Sequence, residues 1–419
     1  MGCPLFKVGC TSLKTRIPEV LAPAGDFTRL KAAVDFGADA VYIGGKVFTM
    51  RAGTANFSDE EMLKGVAYAH EHGARVYLTC NTLPRCNEFE HLPGYFEFVK
   101  NSGVDAVIIS DLGVLALARR LMPEMEIHIS TQAGVVNHAA ACELHAMGAK
   151  RVVLARELSL EEIRYIRTHT PPELEIETFV HGAMCVSFSG RCLLSSYMTG
   201  RDSNRGECAQ PCRWRYSLTE EKRPNEHYPI FEDEQGTYIL NAKDLCMIEH
   251  IKELVQAGVT SLKIEGRAKS VYYVSVITNA YRCAVDGYLA SPQDYTTPDW
   301  LVEEVKKISH RQYCTGFFYG PIENGQYYEN GGYVREYDVV AVVDDWKDGM
   351  AYCTQRNKFL KGDTVEVLQP RSKPLELTIE KLFSADGSEL KSTPHPMMAF
   401  SFPCDIPLKP GSVIRKQLK

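Results

Sequence analysis

An α/β fold is predicted by three observations: a TIM-type (β/α)8 barrel with a long Cys-rich insertion between its seventh and eighth strands, and a small C-terminal antiparallel β-barrel. First, one phrase recurs, consisting of a glycine, a small residue, two variable residues and an apolar run. It reads GADAVYIG (37–44), HGARVYLT (72–79), GVDAVIIS (103–110), GAKRVVLA (148–155) and GVTSLKIE (258–265). Second, strand-like runs alternate with segments of helical periodicity. Third, from about Tyr337 the texture changes to short alternating strands separated by turn signals.

In each recurrence the glycine suits the residue just past a helix, and a buried strand follows. The helices have matching starts. Asp26 precedes TRLKAAVDF, while Ser58 and Ser159 each have a glutamate three residues on, the pattern of a capping box. Counting the apolar runs places strands at 18–24, 39–44, 74–80, 105–110, 126–131, 151–155, 174–181 and 260–265. Runs such as DAVIIS are apolar without alternation, as in a parallel sheet covered on both faces. Eight such units predict the barrel. An open doubly wound sheet is the competing reading, and no Gly-x-Gly-x-x-Gly follows the first strand to support it.

The seventh and eighth strands are separated by far more chain than one helix needs. Beyond the eighth, SVYYVSVITNAYRCAVDGYL (270–289) reads as the closing helix, its apolar positions as packing. A helical stretch over Asp299–Ile308 and a Gly/Tyr-rich stretch (315–334) follow. The expected organisation is an extension over 1–17, a barrel over 18–290 with its insertion at 182–259, a connector over 291–335, and the small β-barrel over 336–419. That last domain suits a nucleic-acid module or a packing partner equally well.

The 419 residues leave room for one large domain and one smaller one. A hydrophobic share of 45% and a charged share of 24% are those of an ordinary globular chain. The net charge of −6 does not advertise a nucleic-acid binder, so an RNA partner would need a local basic surface. MGCPLFKVGC has no apolar core of a signal peptide, and no run approaches a membrane span. The expectation is a cytoplasmic protein without a membrane partner. There, crowded cysteines point to metal or catalysis rather than to disulfides.

Five of the fourteen cysteines lie between His181 and Cys246, spaced Cys185-x6-Cys192-x15-Cys208-x3-Cys212-x33-Cys246. Only Cys208/Cys212 resembles a zinc pair. A [4Fe–4S] cluster accepts thiolates from dispersed loops. A cluster, a zinc site and unligated thiols therefore all stand as readings of the residues. The insertion is also locally basic: seven Arg and Lys between 186 and 223, among them Arg201 and Arg205, face four acids. That is either a solvated loop or a rim that grips phosphates or carboxylates.

Polar residues at predicted strand ends, Asn81, Asp111, Gln132, Glu157, His181, Glu265 and Arg267, are the candidates for substrate contact, because a barrel brings strand ends together. His181 suits either acid–base work or orientation of the cysteine loop. Hydrolase motifs are largely missing. There is no H-E-x-x-H and no G-x-S-x-G, although a Cys–His pair would meet only in space.

LAPAGDFTRLKAAVDFGADAVYIGG, NTLPR, ISDLGVL, ISTQA, FVHGAMCVSFSGRCLLSSYMTGRDSNRGECAQPCRW and SLKIEGRAKSVYYV resemble peptidase family U32 over residues 18–335, and the β-rich tail resembles that family's C-terminal domain. In length and layout the chain is most similar to members that take part in forming 5-hydroxyuridine at the wobble position of tRNA. The resemblance implies a tRNA hydroxylase acting on the anticodon loop, with a [4Fe–4S] cluster on Cys185, Cys192, Cys208 and Cys246, and Cys212 as an extra thiol. It further implies a link to prephenate or a derived metabolite, and an electron donor or a second U32 subunit as partner. Two other roles travel with the family: a collagenase-like peptidase, and a non-catalytic, cluster-bearing tRNA-binding subunit.

Overall fold

The computed structural model describes residues 17–50, 55–185, 192, 194–201, 206–211, 231–233, 236–238, 243–320 and 334–418. Seven parallel strands pair in chain order: β1 (Glu19–Pro23), β2 (Ala40–Gly44), β3 (Arg75–Cys80), β4 (Ala106–Ile109), β5 (Glu126–Ile129), β6 (Arg151–Val153) and β7 (Glu175–Ala183). The insertion then contributes the hairpin β8 (Phe231–Asp233) and β9 (Gly236–Tyr238), and the short strand β10 (Asp244–Cys246). β11 (Ser261–Ile264) pairs in parallel with both β7 and β1 and closes the ring. All eight expected barrel strands are present. The fifth stops two residues short of its expected end because Thr131–Ala133 turns into a 3-10 helix capped by Ser130.

The recurring phrase has its physical reason in the backbone. Gly37, Gly73, Gly103, Gly148 and Gly258, which end the helices, all have φ between 76° and 104°. A side chain there would be strained against its own carbonyl. The helix starts also form as expected. The Asp26 carboxylate accepts from Arg29 N, and Ser58 and Ser159 each close a reciprocal capping box with Glu61 and Glu162.

Strands and helices share one large apolar layer outside the ring. Inside the ring the packing is different. A small apolar cluster of Leu21, Ala40, Tyr42, Tyr77, Ala106 and Ile108 lies beside a layer of charge. Arg151 takes Glu19 at 2.7 Å, Glu175 at 2.7 Å and Glu177 at 3.0 Å, and Lys263 Nζ donates to Glu177 at 2.6 Å. The Glu177 side chain is fully buried. Burial pushes its pKa up, but Lys263, Arg151 and His128 outweigh that and hold it at about 2.

Periodicity did not disclose two strands at the rim, one from the insertion and one from the connector. β10 runs antiparallel to the end of β7, pairing Cys246 with His181, and β12 (Tyr313–Cys314) runs parallel to β10. The expected helix over 299–308 forms only over Asp299–Glu304 and tightens to 3-10 over Val305–Lys307.

The C-terminal domain is an antiparallel half-barrel: β13 (Tyr337–Lys347), β14 (Met350–Gln355), β15 (Thr364–Leu368), β16 (Leu375–Thr378), β17 (Leu382–Ser384), β18 (Glu389–Leu390), β19 (Ala399–Pro403) and β20 (Val413–Gln417). It has its own core, including Phe359, Phe400 and Phe402. Arg415 fastens it to the large barrel. Its fully buried guanidinium holds Glu304 with contacts of 2.8 and 2.5 Å and Glu366 at 2.6 Å.

The Glu177 charge predicts an acid limb of stability. A carboxylate held at about 2 against an ordinary 4.5 stabilises the fold above pH 4.5, and that contribution is lost as pH falls toward 2. Urea titrations at pH 7 and pH 3 are expected to show this loss in the wild type. Glu177→Gln, which strands Lys263 and Arg151, is expected to cost about 3 kcal/mol at pH 7 and to flatten the acid limb.

Candidate functional site at the barrel mouth

A cleft partly open to solvent, with about 560 Å³ of empty space when its open mouth is included, sits at the C-terminal ends of the strands. This is the rim on which barrels of this class build their sites. Its lining mixes three chemistries. Tyr42 and Phe179 offer ring faces, Asn81 and Gln132 offer amides, and Arg156, Lys263 and Arg267 offer cations against Glu265.

Each cation is held in place by its neighbours. Arg267, 4% exposed, follows β11 and donates to Thr79 Oγ1 at 3.1 Å and Thr49 Oγ1 at 2.8 Å. The two threonine hydroxyls meet at 2.9 Å. The guanidinium needs the room left by Gly44, where a Cβ would stand 1.9 Å from Arg267 Nη1. Arg156 lies 3.8 Å from the Phe179 ring centroid, approaches Glu265 at 3.7 Å and donates to Ala183 O at 2.8 Å. Lys263 lies 4.7 Å from the Tyr42 ring centroid while its ammonium reaches down to Glu177. Such a cavity can take a flat ring against the Arg156–Phe179 stack, read its edge with amides, and hold an anion.

The cavity wall continues into the thiol-bearing segment. Ala183, the acceptor for Arg156, ends β7 two residues before Cys185. At this point β7 forks, bonding β11 on one side and β10 on the other. Gly182 makes the fork feasible. Its φ is 107°, and a Cβ there would meet Glu265 O at 2.6 Å. β10 delivers Cys246 beside His181.

The loops carrying Cys192 and Cys208 are tied together by Ala209 N donating to Ser195 Oγ at 3.0 Å. Three of the thiols receive a backbone N–H from two residues on: Leu194 N to Cys192 Sγ at 3.3 Å, Gln210 N to Cys208 Sγ at 3.4 Å, and Ile248 N to Cys246. Among the described residues no three His, Cys, Asp or Glu side chains converge as a ready-made metal cage. In its chemistry the donor set fits an iron–sulfur cluster: soft thiols from separate loops, with amide donors aimed at the sulfurs.

His181 is fully enclosed behind this fork. Its ring nitrogens lie 3.5 Å from Tyr281 Oη and 3.3 Å from Tyr313 Oη. Burial, and then the proximity of His310 and Lys269, push its pKa down to about 3. A neutral imidazole wedged between phenols orients the fork; it does not face the cavity.

Of the residues expected to contact substrate, Asn81, Gln132, Glu265 and Arg267 meet in the cavity lining. Glu157 is half-buried outside it, and Asp111 caps the helix that begins at Leu112. Arg201 is exposed on the insertion, away from the lining, and Arg205 and Cys212 lie outside the described residues. Sequence reasoning missed Tyr42, Thr79, Arg156, Phe179 and Lys263. Lys263 carried a signal, as a cation inside the apolar run SLKI. The other four give none without knowledge of which strand face turns inward.

Comparison with known proteins agrees with this layout. Residues 25–326 match peptidase family U32 and residues 335–415 match the peptidase family U32 C-terminal domain. The chain is 38% identical over 405 residues to tRNA hydroxylation protein P1 of Bacillus subtilis, covering 96% of this chain and 95% of that one. It is 37% identical over 419 aligned positions to tRNA hydroxylation protein P of Escherichia coli, covering 90% and 91%. It is also 32% identical over 312 residues to a collagenase of Porphyromonas gingivalis, covering 72% and 73%. On the extent of these matches, this chain belongs to peptidase family U32.

Proposed function

We propose that this protein hydroxylates tRNA, forming 5-hydroxyuridine at the wobble position, with the target base drawn into the barrel mouth. The observation that carries this reading is the cavity itself. Ring faces, amides and cations line it, and one wall runs through Arg156 and Ala183 into the thiol-bearing strand. Two relatives aligned over nine-tenths or more of the chain bear tRNA hydroxylation in their names. An anticodon loop presents unstacked bases, so extrusion of a uridine costs little.

In this reading the stacked pair of Phe179 and Arg156 offers the surface against which the pyrimidine packs. The amides of Asn81 and Gln132 read its polar edge. Arg267 and Lys263 hold an anion, either a backbone phosphate or a carboxylate of a small co-substrate such as prephenate or a derived metabolite. Cys185, Cys192, Cys208 and Cys246 would hold a [4Fe–4S] cluster, which when bound supplies one-electron chemistry; an electron donor or second U32 subunit completes the system. His181, kept neutral between Tyr281 and Tyr313, maintains the position of β10 against β7.

Two experiments test this. Protein purified without oxygen is expected to be brown and to hold about four irons per chain, and Ala at Cys185, Cys192, Cys208 or Cys246 is expected to remove most of that iron. Unchanged iron in all four variants rejects the cluster. In a strain lacking the gene, mass spectrometry of tRNA nucleosides is expected to show loss of 5-hydroxyuridine and its derivatives. Restoration by the wild type but not by Arg267→Ala, with about a hundredfold drop in modification, fits the removal of one positioning cation. Gelatin cleavage by the purified chain with normal nucleosides in the deletion strain would instead favour the peptidase role. RNA affinity with normal nucleosides would favour a non-catalytic subunit.

A further inference from the structure

We propose that one end of the C-terminal half-barrel, formed by the loops at 356–363 and 391–398, docks the phosphate backbone of the RNA whose base enters the large barrel. The inference rests on the reading of the mouth as an RNA site and adds a second contact surface to it.

Charge is segregated along this domain. The loop between β14 and β15 opens Arg356-Asn-Lys358-Phe-Leu-Lys361 and has one acid, Asp363, at its end, and Lys391 faces it from the neighbouring loop. Toward the opposite end the β13–β14 hairpin carries Asp345 and Asp348 against Lys347, while Asp344, midway along β13, accepts from Thr354 Oγ1 at 2.7 Å. Acids at the basic end are largely engaged. Glu389 takes Lys361 at 2.6 Å, Asp363 takes Lys416 at 2.6 Å, and Asp386 accepts from Ser384 and Ser388 within its own turn; Glu380 is balanced by Lys381 beside it. Arg356, Lys358 and Lys391 remain exposed as cations.

The surface is preformed. Phe359 is buried as an anchor, and the two loops are stitched by Lys361 N to Lys391 O at 3.0 Å and Thr393 N to Phe359 O at 3.1 Å. Arg356 Nη1 rests 2.8 Å from Met397 Sδ. Met397 and Leu360 are 62% and 48% exposed, so a flat cation stands beside uncovered apolar surface. Phosphates and an unstacked base or ribose suit that mixture.

Two seams fix which way this end points. Arg415 and Glu366 meet Tyr272 and Glu304, and Tyr272 lies in the first turn of the helix Val271–Ala290, which starts just beyond the mouth end of β11. Just past the end of β15, Arg371 N bonds Asn279 Oδ1 at 2.7 Å, about 10 Å down the same helix. Arg371 Nε also lies 3.1 Å from where a Cβ on Gly37 would stand, and Gly37 precedes β2 at the far end of the large barrel. β15 therefore runs away from the mouth, and the loop that enters it at Thr364 projects toward the mouth.

The test uses the full chain and a fluorescein-labelled anticodon stem-loop, read by anisotropy across a salt series. Lys358→Glu with Lys391→Glu is expected to weaken binding at least tenfold and to lower the slope of log K against log salt by about two, while the melting curve is unchanged. Lys358→Gln with Lys391→Gln is expected to fall between. Wild-type affinity in the double Glu variant overturns the inference and leaves the hydroxylation reading standing. Lost hydroxylation with unchanged RNA affinity also overturns it and assigns the loops to a protein partner. Salt-dependent binding that needs the two lysines, in a protein whose deletion leaves 5-hydroxyuridine normal, keeps the surface and rejects the hydroxylation reading. No RNA binding by the wild type rejects both.

Discussion

The carboxylate of Glu177, shut inside the large barrel, is the constraint around which the molecule is arranged. A charge with no access to water is tolerated only when partners replace its hydration. Arg151 and Lys263 do so from β6 and β11, and Arg151 extends the network to Glu19 on β1. Strands far apart in sequence are thereby pinned to one register. The interior beneath the mouth is filled by an ionic layer rather than by apolar side chains alone. Lys263 belongs to that layer and to the cavity lining at once. The depth and charge of the cavity are therefore tied to the stability of the barrel.

β7 is where scaffold and chemistry meet. It carries Glu177 in the ionic layer, Phe179 in the cavity, His181 behind the wall and Gly182 at the fork, and Cys185 follows its end. Nine residues thus span the distance from a structural charge to a candidate ligand. The fork matters because it lets one strand close the barrel through β11 while its end accepts β10 and Cys246. Burial raises the Cys246 thiol to about 12. Thiolate there would need compensation, of the kind that amide donors give and that the proposed cluster would add.

The barrel was legible in the sequence because its cues are local. A glycine that must take positive φ, a cap residue before a helix and an apolar run each act within a few residues. Five repeats of that grammar leave little freedom in the element order. The cavity was half legible. Asn81, Gln132, Glu265 and Arg267 sit at or beyond strand ends, and barrel topology brings strand ends together. Glu157 and His181 met the same criterion, yet neither lines the cavity, because a residue at a strand end can turn into the wall or outward. Arg156 and Phe179 were invisible for the converse reason: stacking of the turn after β6 on β7 is a property of two segments, not of either alone.

The sequence by itself determined the order of the barrel elements, the helix caps, the two-domain division and the crowding of thiols in one insertion, since all of these depend on neighbours along the chain. Tertiary structure alone decided that Lys263 should serve both a buried carboxylate and the mouth, that β10 should lie against β7, and that Arg415 should orient the half-barrel through Glu304 and Glu366. Those outcomes depend on which buried charges find partners across tens to hundreds of residues. That matching is set by the free energy of desolvation over the whole fold, which no local pattern encodes.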